Sequence, residues 1–172
     1  MDVRAGCAGF AQALGLAADM VRGGSAEYVL VIGTEKLSET LDLLDRSTAF
    51  IFADGAGAVV IGPADSEGIG PVVWGSDGSQ AEVIRQEPGW SEFRNNPAVG
   101  MPYVRMEGTK VFRWAPFAMA QVARDALELA GVAAEDLDAF IPHQANLRIT
   151  ETLTRTLKLP SDIPVARDVV NS

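Results

Sequence analysis

The chain holds one cysteine, Cys7, and one histidine, His143, and both residue types do chemistry that few others can. Cys7 stands in "AGCAGF", residues 5–10, directly ahead of a segment with helical periodicity. A lone thiol often serves as a small buried hydrophobe. At a helix N-terminus it has a second use, because the unpaired amides favour the thiolate, lower its pKa and arm it as a nucleophile. His143 follows a short apolar run, residues 139–141. Such a histidine is either a hydrogen-bonded structural residue or a proton donor at a site. Sites in layered α/β folds collect at the carboxyl ends of strands. Both singletons fall at such expected ends, which puts a Cys/His site on equal footing with two structural residues.

The elements that would position them alternate along the chain. After an extended start over residues 1–4, Phe10, Leu14, Ala17, Ala18 and Val21 recur at helical spacing until Gly23 and Gly24 stop the helix. Residues 28–32 form a continuous apolar run, typical of a parallel strand covered on both faces. Residues 49–52 and 58–61 read as two further strands, joined by a glycine-rich tight link over 53–57. That link has neither GxGxxG spacing nor a following Lys-Ser/Thr, so the structural reading of its glycines stands above phosphate binding. Residues 62–102 read as irregular, with one strand at 72–74. From Gly108, the positions Val111, Ala115, Ala118, Val122, Ala126 and Leu129 mark a helix face ending at Gly131, with Pro116 kinking it or starting a second helix. A strand at 139–141 then leads into "PHQAN" and a last helix carrying Leu147, Thr150, Leu153 and Leu157. The order implies α/β layering.

Composition narrows the function. The 172 residues carry 14 basic and 23 acidic side chains, a net charge of -9. That balance argues against general affinity for nucleic acid or an anionic membrane, so an anionic partner needs a local basic patch. One cysteine makes neither an internal disulfide nor a multi-thiolate zinc site, and suits a reducing cytoplasm. The apolar runs fall short of a membrane span, and no leader pattern precedes the first element, so neither export nor insertion is expected.

"AGCAGF", "DRSTAFIFADGAGAVVI" (residues 45–61) and "PHQANLRI" (residues 142–149), in that order, closely resemble the β-ketoacyl-acyl carrier protein synthase III family of thiolase-fold condensing enzymes. The resemblance implies a layered αβαβα fold, here incomplete: residues 1–100 as the end of the N-terminal half, 101–172 as the start of the C-terminal half. It implies that Cys7 takes the acyl group from an acyl-CoA, its amide helping to hold the oxyanion. His143 would then hydrogen-bond the thioester oxygen as malonyl on acyl carrier protein loses carbon dioxide. No metal or bound cofactor is called for. Arg46 matches the family position against the CoA adenine, Gly108 and Asn146 positions near the pantetheine arm, and Met106 and Phe112 positions lining the acyl tunnel. Arg113, Arg148 and Arg155 match basic positions at the tunnel mouth that would dock the acidic carrier. Ordinary roles stand beside these: a solvated charge at Arg46, core packing at Met106 and Phe112, scattered surface charge at the three arginines.

Family chains are about twice this length. The catalytic asparagine of a "GNTS"-like motif would follow Ser172. Asn171 lacks the preceding glycine and is not assigned that role. The early strands with a basic CoA contact and the late glycine-rich loop are also absent, and Thr109 stands where the family often has asparagine. The chain therefore reads as the middle of an enzyme, expected as a cytoplasmic homodimer that starts fatty acid synthesis. A starter-unit or ester-forming enzyme of polyketide synthesis, or an inactive fragment serving as an interaction module, are the alternatives.

Overall fold

The computed structural model describes residues 1–170. The chain divides into two compact units, Met1–Lys36 with Asp54–Val72, and Leu37–Ala53 with Val73–Ser172.

In the first unit a 3-10 turn, Gly6–Ala8, runs straight into helix α1, Gly9–Arg22. The small residues Gly15, Ala17 and Ala18 are buried along one side of α1. Gly23 closes the helix by donating to the Asp19 carbonyl, and Gly24 takes a left-handed φ of 71°. Strand β1, Val29–Lys36, pairs antiparallel with β2, Asp54–Ile61, from Val29 opposite Ile61 to Lys36 opposite Asp54. Residues directly opposite share a face. Val31 is 5% exposed, whereas Leu30, Ile32 and Val60 are 61%, 60% and 65% exposed. Helix α1 packs on β1, covering the Val31 face. At Gly33 the packing is so close that a Cβ would stand 3.1 Å from Phe10 Cδ2. The other face, with Tyr28, Leu30, Ile32 and Val60, lies open.

In the second unit, β3, Ile84–Glu87, pairs antiparallel with β4, Tyr103–Met106. Between them lies a short helix α2, Trp90–Asn95. Helix α3, Gly108–Ala130, ends at Gly131 in the left-handed region, φ 64°, and helix α4 spans Leu147–Leu157. The two helices pack together. Ala120, Leu153 and Leu157 form their core, flanked by Ala123, Phe140 and Leu159.

Several elements differ from expectation. The extended start over residues 1–4 forms no strand. The run 28–32 extends to Lys36 and is antiparallel and open on one face rather than parallel and doubly covered. Residues 49–52 are turns: Thr48 and Ala49 amides donate to the Asp45 carbonyl, and Ile51 to Thr48. The glycines at 55 and 57 lie inside β2 and not in a tight link. Residues 72–74 form no strand, and 139–141 reduce to one parallel bridge, Phe140 with Val165. Helix α3 runs unbroken through Pro116, which is buried with Ala120, while Leu129 is exposed. Among the described residues no helix is long and apolar enough to cross a membrane.

Candidate functional site

Cys7 occupies the middle of the turn Gly6–Ala8. Gly6 adopts φ 51°, a left-handed conformation that glycine takes at little cost. The turn brings the thiol to the surface immediately ahead of α1. Although exposed, the sulfur is crowded by neighbouring chain, and this partial desolvation pushes its pKa above the ordinary thiol value. The Cys7 backbone amide, which hydrogen-bonds the sulfur, opposes the rise, and the Glu35 carboxylate adds to it. The net shift is upward, opposite to the lowering expected at the helix start, because desolvation outweighs the amide hydrogen bond.

The other expected site residues belong to the second unit. His143 lies in the irregular segment after Phe140; although exposed, its ring is partly desolvated by the chain around it, which lowers its pKa. The lowering favours the neutral imidazole, which keeps one N–H to donate. Its neighbour Gln144 fixes the segment: Nε2 donates to the Pro142 and Ala166 carbonyls at 2.9 and 3.1 Å, and Oε1 accepts from the Val169 amide at 3.3 Å. Asn146 caps α4, its Oδ1 accepting from the Arg148 amide at 2.9 Å.

Met106 ends β4, and Gly108 opens α3 two residues later; a Cβ at 108 would stand 3.6 Å from Met106 Cε. Phe112 and Arg113 follow on α3, both exposed, Phe112 at 38%. Arg148 and Arg155 are exposed seven residues apart on α4, hence on one face. Arg155 lines a cavity of about 310 Å³ with Thr150, Glu151, Thr154, Val165 and Arg167. Arg46 is exposed in the segment after Leu41. Among the described residues no group of histidine, cysteine and carboxylates is placed to hold a metal.

Two features escaped the sequence reading. Gln144 was legible only as part of the quoted motif. Arg105, on β4, pairs with Asp42 and Asp45 at 3.0 and 2.9 Å, and no local spacing joins residues so far apart in the chain.

Residues 1–78 match the family described as 3-oxoacyl-(acyl-carrier-protein) synthase III, and residues 127–171 match its C-terminal part. A mycobacterial β-ketoacyl-(acyl-carrier-protein) synthase III from Mycobacterium marinum is 57% identical over 98% of this chain and 50% of its own length. The β-ketoacyl-(acyl-carrier-protein) synthase III of Streptomyces glaucescens is also 57% identical, with the same coverage. Among solved structures, the priming β-ketosynthase of the R1128 polyketide biosynthetic pathway superposes with TM-score 0.94 at 48% identity, over 98% of this chain and 50% of that one. The chain thus spans about half the length of the curated relatives it matches. Its fold is the α/β thiolase-like fold of these enzymes.

Proposed function

Because the chain belongs to the 3-oxoacyl-(acyl-carrier-protein) synthase III family, we propose that it carries the nucleophile and the histidine of a decarboxylative condensing enzyme that joins a short-chain acyl-CoA to malonyl on acyl carrier protein. The observation that carries the reading is the exposed thiol held in a 3-10 turn at the start of α1, its own amide bonded to the sulfur. The Cys7 thiol gives up its proton, its thiolate attacks the thioester carbonyl, the bond to CoA sulfur breaks, and the departing CoA sulfur takes up a proton in place of the one Cys7 lost. In the second half-reaction the malonyl thioester loses carbon dioxide, and the resulting enolate carbon attacks the acyl-Cys7 carbonyl. The Cys7 thiolate is released and the 3-oxoacyl chain remains on the carrier. Neutral His143 donates to the thioester oxygen while it carries enolate charge. The electron sink is the thioester itself, so the steps call on no metal or resident cofactor.

In this reading residues 1–100 close the first half of the fold and residues 101–172 open the second. Arg46 contacts the CoA nucleotide, Gly108 and Asn146 flank the pantetheine, and Met106 and Phe112 line the acyl tunnel. Arg113, Arg148 and Arg155 meet the acidic carrier. The enzyme works in the cytoplasm as a homodimer. The likeness to a priming β-ketosynthase favours a second reading, in which the same chemistry supplies a starter unit for a polyketide.

Incubation with acetyl-CoA or a branched short acyl-CoA should add one acyl group, released by hydroxylamine, and Cys7→Ala should abolish it. Intact-mass measurement checks this. An adduct that survives in Cys7→Ala overturns the assignment. Carrier and primer preference in the condensation assay separates fatty acid initiation from polyketide priming.

A further inference from the structure

We propose that Arg105 is a positioning residue for acyl-CoA: from β4 it clamps the turn over residues 42–48 so that Arg46 is held out toward the nucleotide. The proposal rests on the reading of Arg46 as the nucleotide contact.

Each carboxylate of the clamp is used at both oxygens. Asp42 Oδ2 accepts from Arg105 Nη2 at 3.0 Å, and its Oδ1 accepts from the Leu44 amide at 3.1 Å. Asp45 Oδ2 accepts from Arg105 Nη1 at 2.9 Å, and its Oδ1 accepts from the Ser47 amide and hydroxyl at 2.9 and 2.6 Å. The guanidinium is therefore linked, through two carboxylates, to the backbone on either side of Arg46. Chief among the causes that hold Asp45 ionised, at a pKa of about 2, are the Ser47 hydrogen bonds, with Arg105 adding to them. The Tyr103 ring lies 5.9 Å from the Arg105 guanidinium carbon, a further restraint from the same strand. Beneath the turn Thr48 is fully buried.

What the clamp presents is chemically specific. Arg46 is exposed and pairs with no carboxylate among the described residues, and Leu43 and Leu44 beside it are 75% and 91% exposed. A planar cation next to apolar side chains suits a nucleotide, whose base stacks on guanidinium and whose phosphates attract it. Arg105 itself stays below, 36% exposed at its side chain and committed to the two aspartates. Lysine could not take its place, because only the guanidinium offers two separated nitrogens in one rigid plane.

The test measures steady-state kinetics in the complete enzyme for Arg105→Lys, Arg105→Ala and Arg46→Ala. Two thioester substrates are compared, acetyl-CoA and acetyl-pantetheine, the second lacking the nucleotide. Arg105→Lys and Arg105→Ala should raise KM for acetyl-CoA by roughly ten-fold, the size of one lost charge-assisted contact, with the change in KM and not in kcat. KM for acetyl-pantetheine should not follow. Arg46→Ala with Arg105→Ala should be no worse than Arg46→Ala alone, since both remove one contact. Asp45→Asn, which preserves shape, should show the same selectivity more weakly and guards against a folding defect in Arg105→Ala. Equal losses with both substrates overturn the proposal in favour of a merely structural role. If Arg46→Ala raises KM for acetyl-CoA while the Arg105 variants do not, the clamp is overturned and the nucleotide contact survives. If Arg46→Ala leaves that KM unchanged, the reading of Arg46 itself is overturned.

Discussion

The unit that carries Cys7 and the unit that carries His143 hold their site residues by different means. In the second unit side chains supply the bonds: beside His143, Gln144 bonds three backbone groups and Asn146 caps α4, and elsewhere Arg105 clamps the turn of Arg46. Cys7 is set by backbone bonds, through the Ala8 amide on the Ala5 carbonyl and the Gly9 amide on the Gly6 carbonyl. Its supporting sheet has α1 on one face and solvent on the other. Side-chain bonds fix a segment wherever its partners are at hand, whereas a two-stranded sheet depends on what packs against it, here α1 on one face. The second unit thus has a core of its own, while the first presents a contiguous apolar surface of a kind soluble monomers rarely expose.

Truncation of the α3–α4 core should give the largest effect. Leu153→Ala removes a 7% exposed side chain packed on Ala120 and Leu157, and should cost about 2–5 kcal/mol of stability. Leu30→Ala, on the open face of β1, should cost less than about 0.5 kcal/mol. Urea unfolding compares the two, and similar losses would erase the contrast between a closed core and an open face.

His143→Ala should come next, slowing malonyl decarboxylation by about two to three orders of magnitude, the usual loss for one such donor. Acylation of Cys7 should be nearly unaffected, because His143 is not among the groups that set the Cys7 pKa. Because desolvation lowers the His143 pKa from 6.5, the neutral ring is the major form at and above that pH. Decarboxylation should therefore fall as the ring takes up a proton, with its midpoint below pH 6.5, as measured by carbon dioxide release. Parallel losses in both half-reactions would show that His143 also governs the thiol.

The smallest change is expected at Glu35, whose carboxylate adds to the rise in the Cys7 pKa after desolvation. Glu35→Gln removes the negative charge, so the thiolate should form at lower pH. The pH profile of iodoacetamide alkylation should shift downward, and an unmoved profile would leave desolvation as the whole cause.

Helices α1, α3 and α4 were readable because their signals are local, whereas α2 lies in the stretch read as irregular. The spacing of Phe10 to Val21 and the stops at Gly23 and Gly131 act within a turn or two of chain. The strand expected at 49–52 failed because Asp45, upstream, organises turns that its apolar composition does not reveal. β2 begins at Asp54, where glycines at 55 and 57 suggested a link, since backbone pairing with β1 needs no side chain there. β3 and β4 read as "IRQE" and "YVRM", without the alternation or apolar run that marks a strand. At the site, Cys7 and His143 stood out as singletons. Arg105 did not, for its partners lie 60 and 63 residues away.

Asn146 puts its carbonyl oxygen on the Arg148 amide, which leaves the other end of the same side chain, an NH2 group with two hydrogens, uncommitted to the cap. Aspartate or serine would start α4 about as well, yet neither ionised carboxylate nor a hydroxyl engaged at the helix end offers that paired donor. The choice of asparagine is thus one that helix stability alone leaves undetermined. A side chain with two unlike ends can serve the fold with one and a ligand's carbonyl with the other, so at this position tolerance to substitution should differ sharply between folding and turnover.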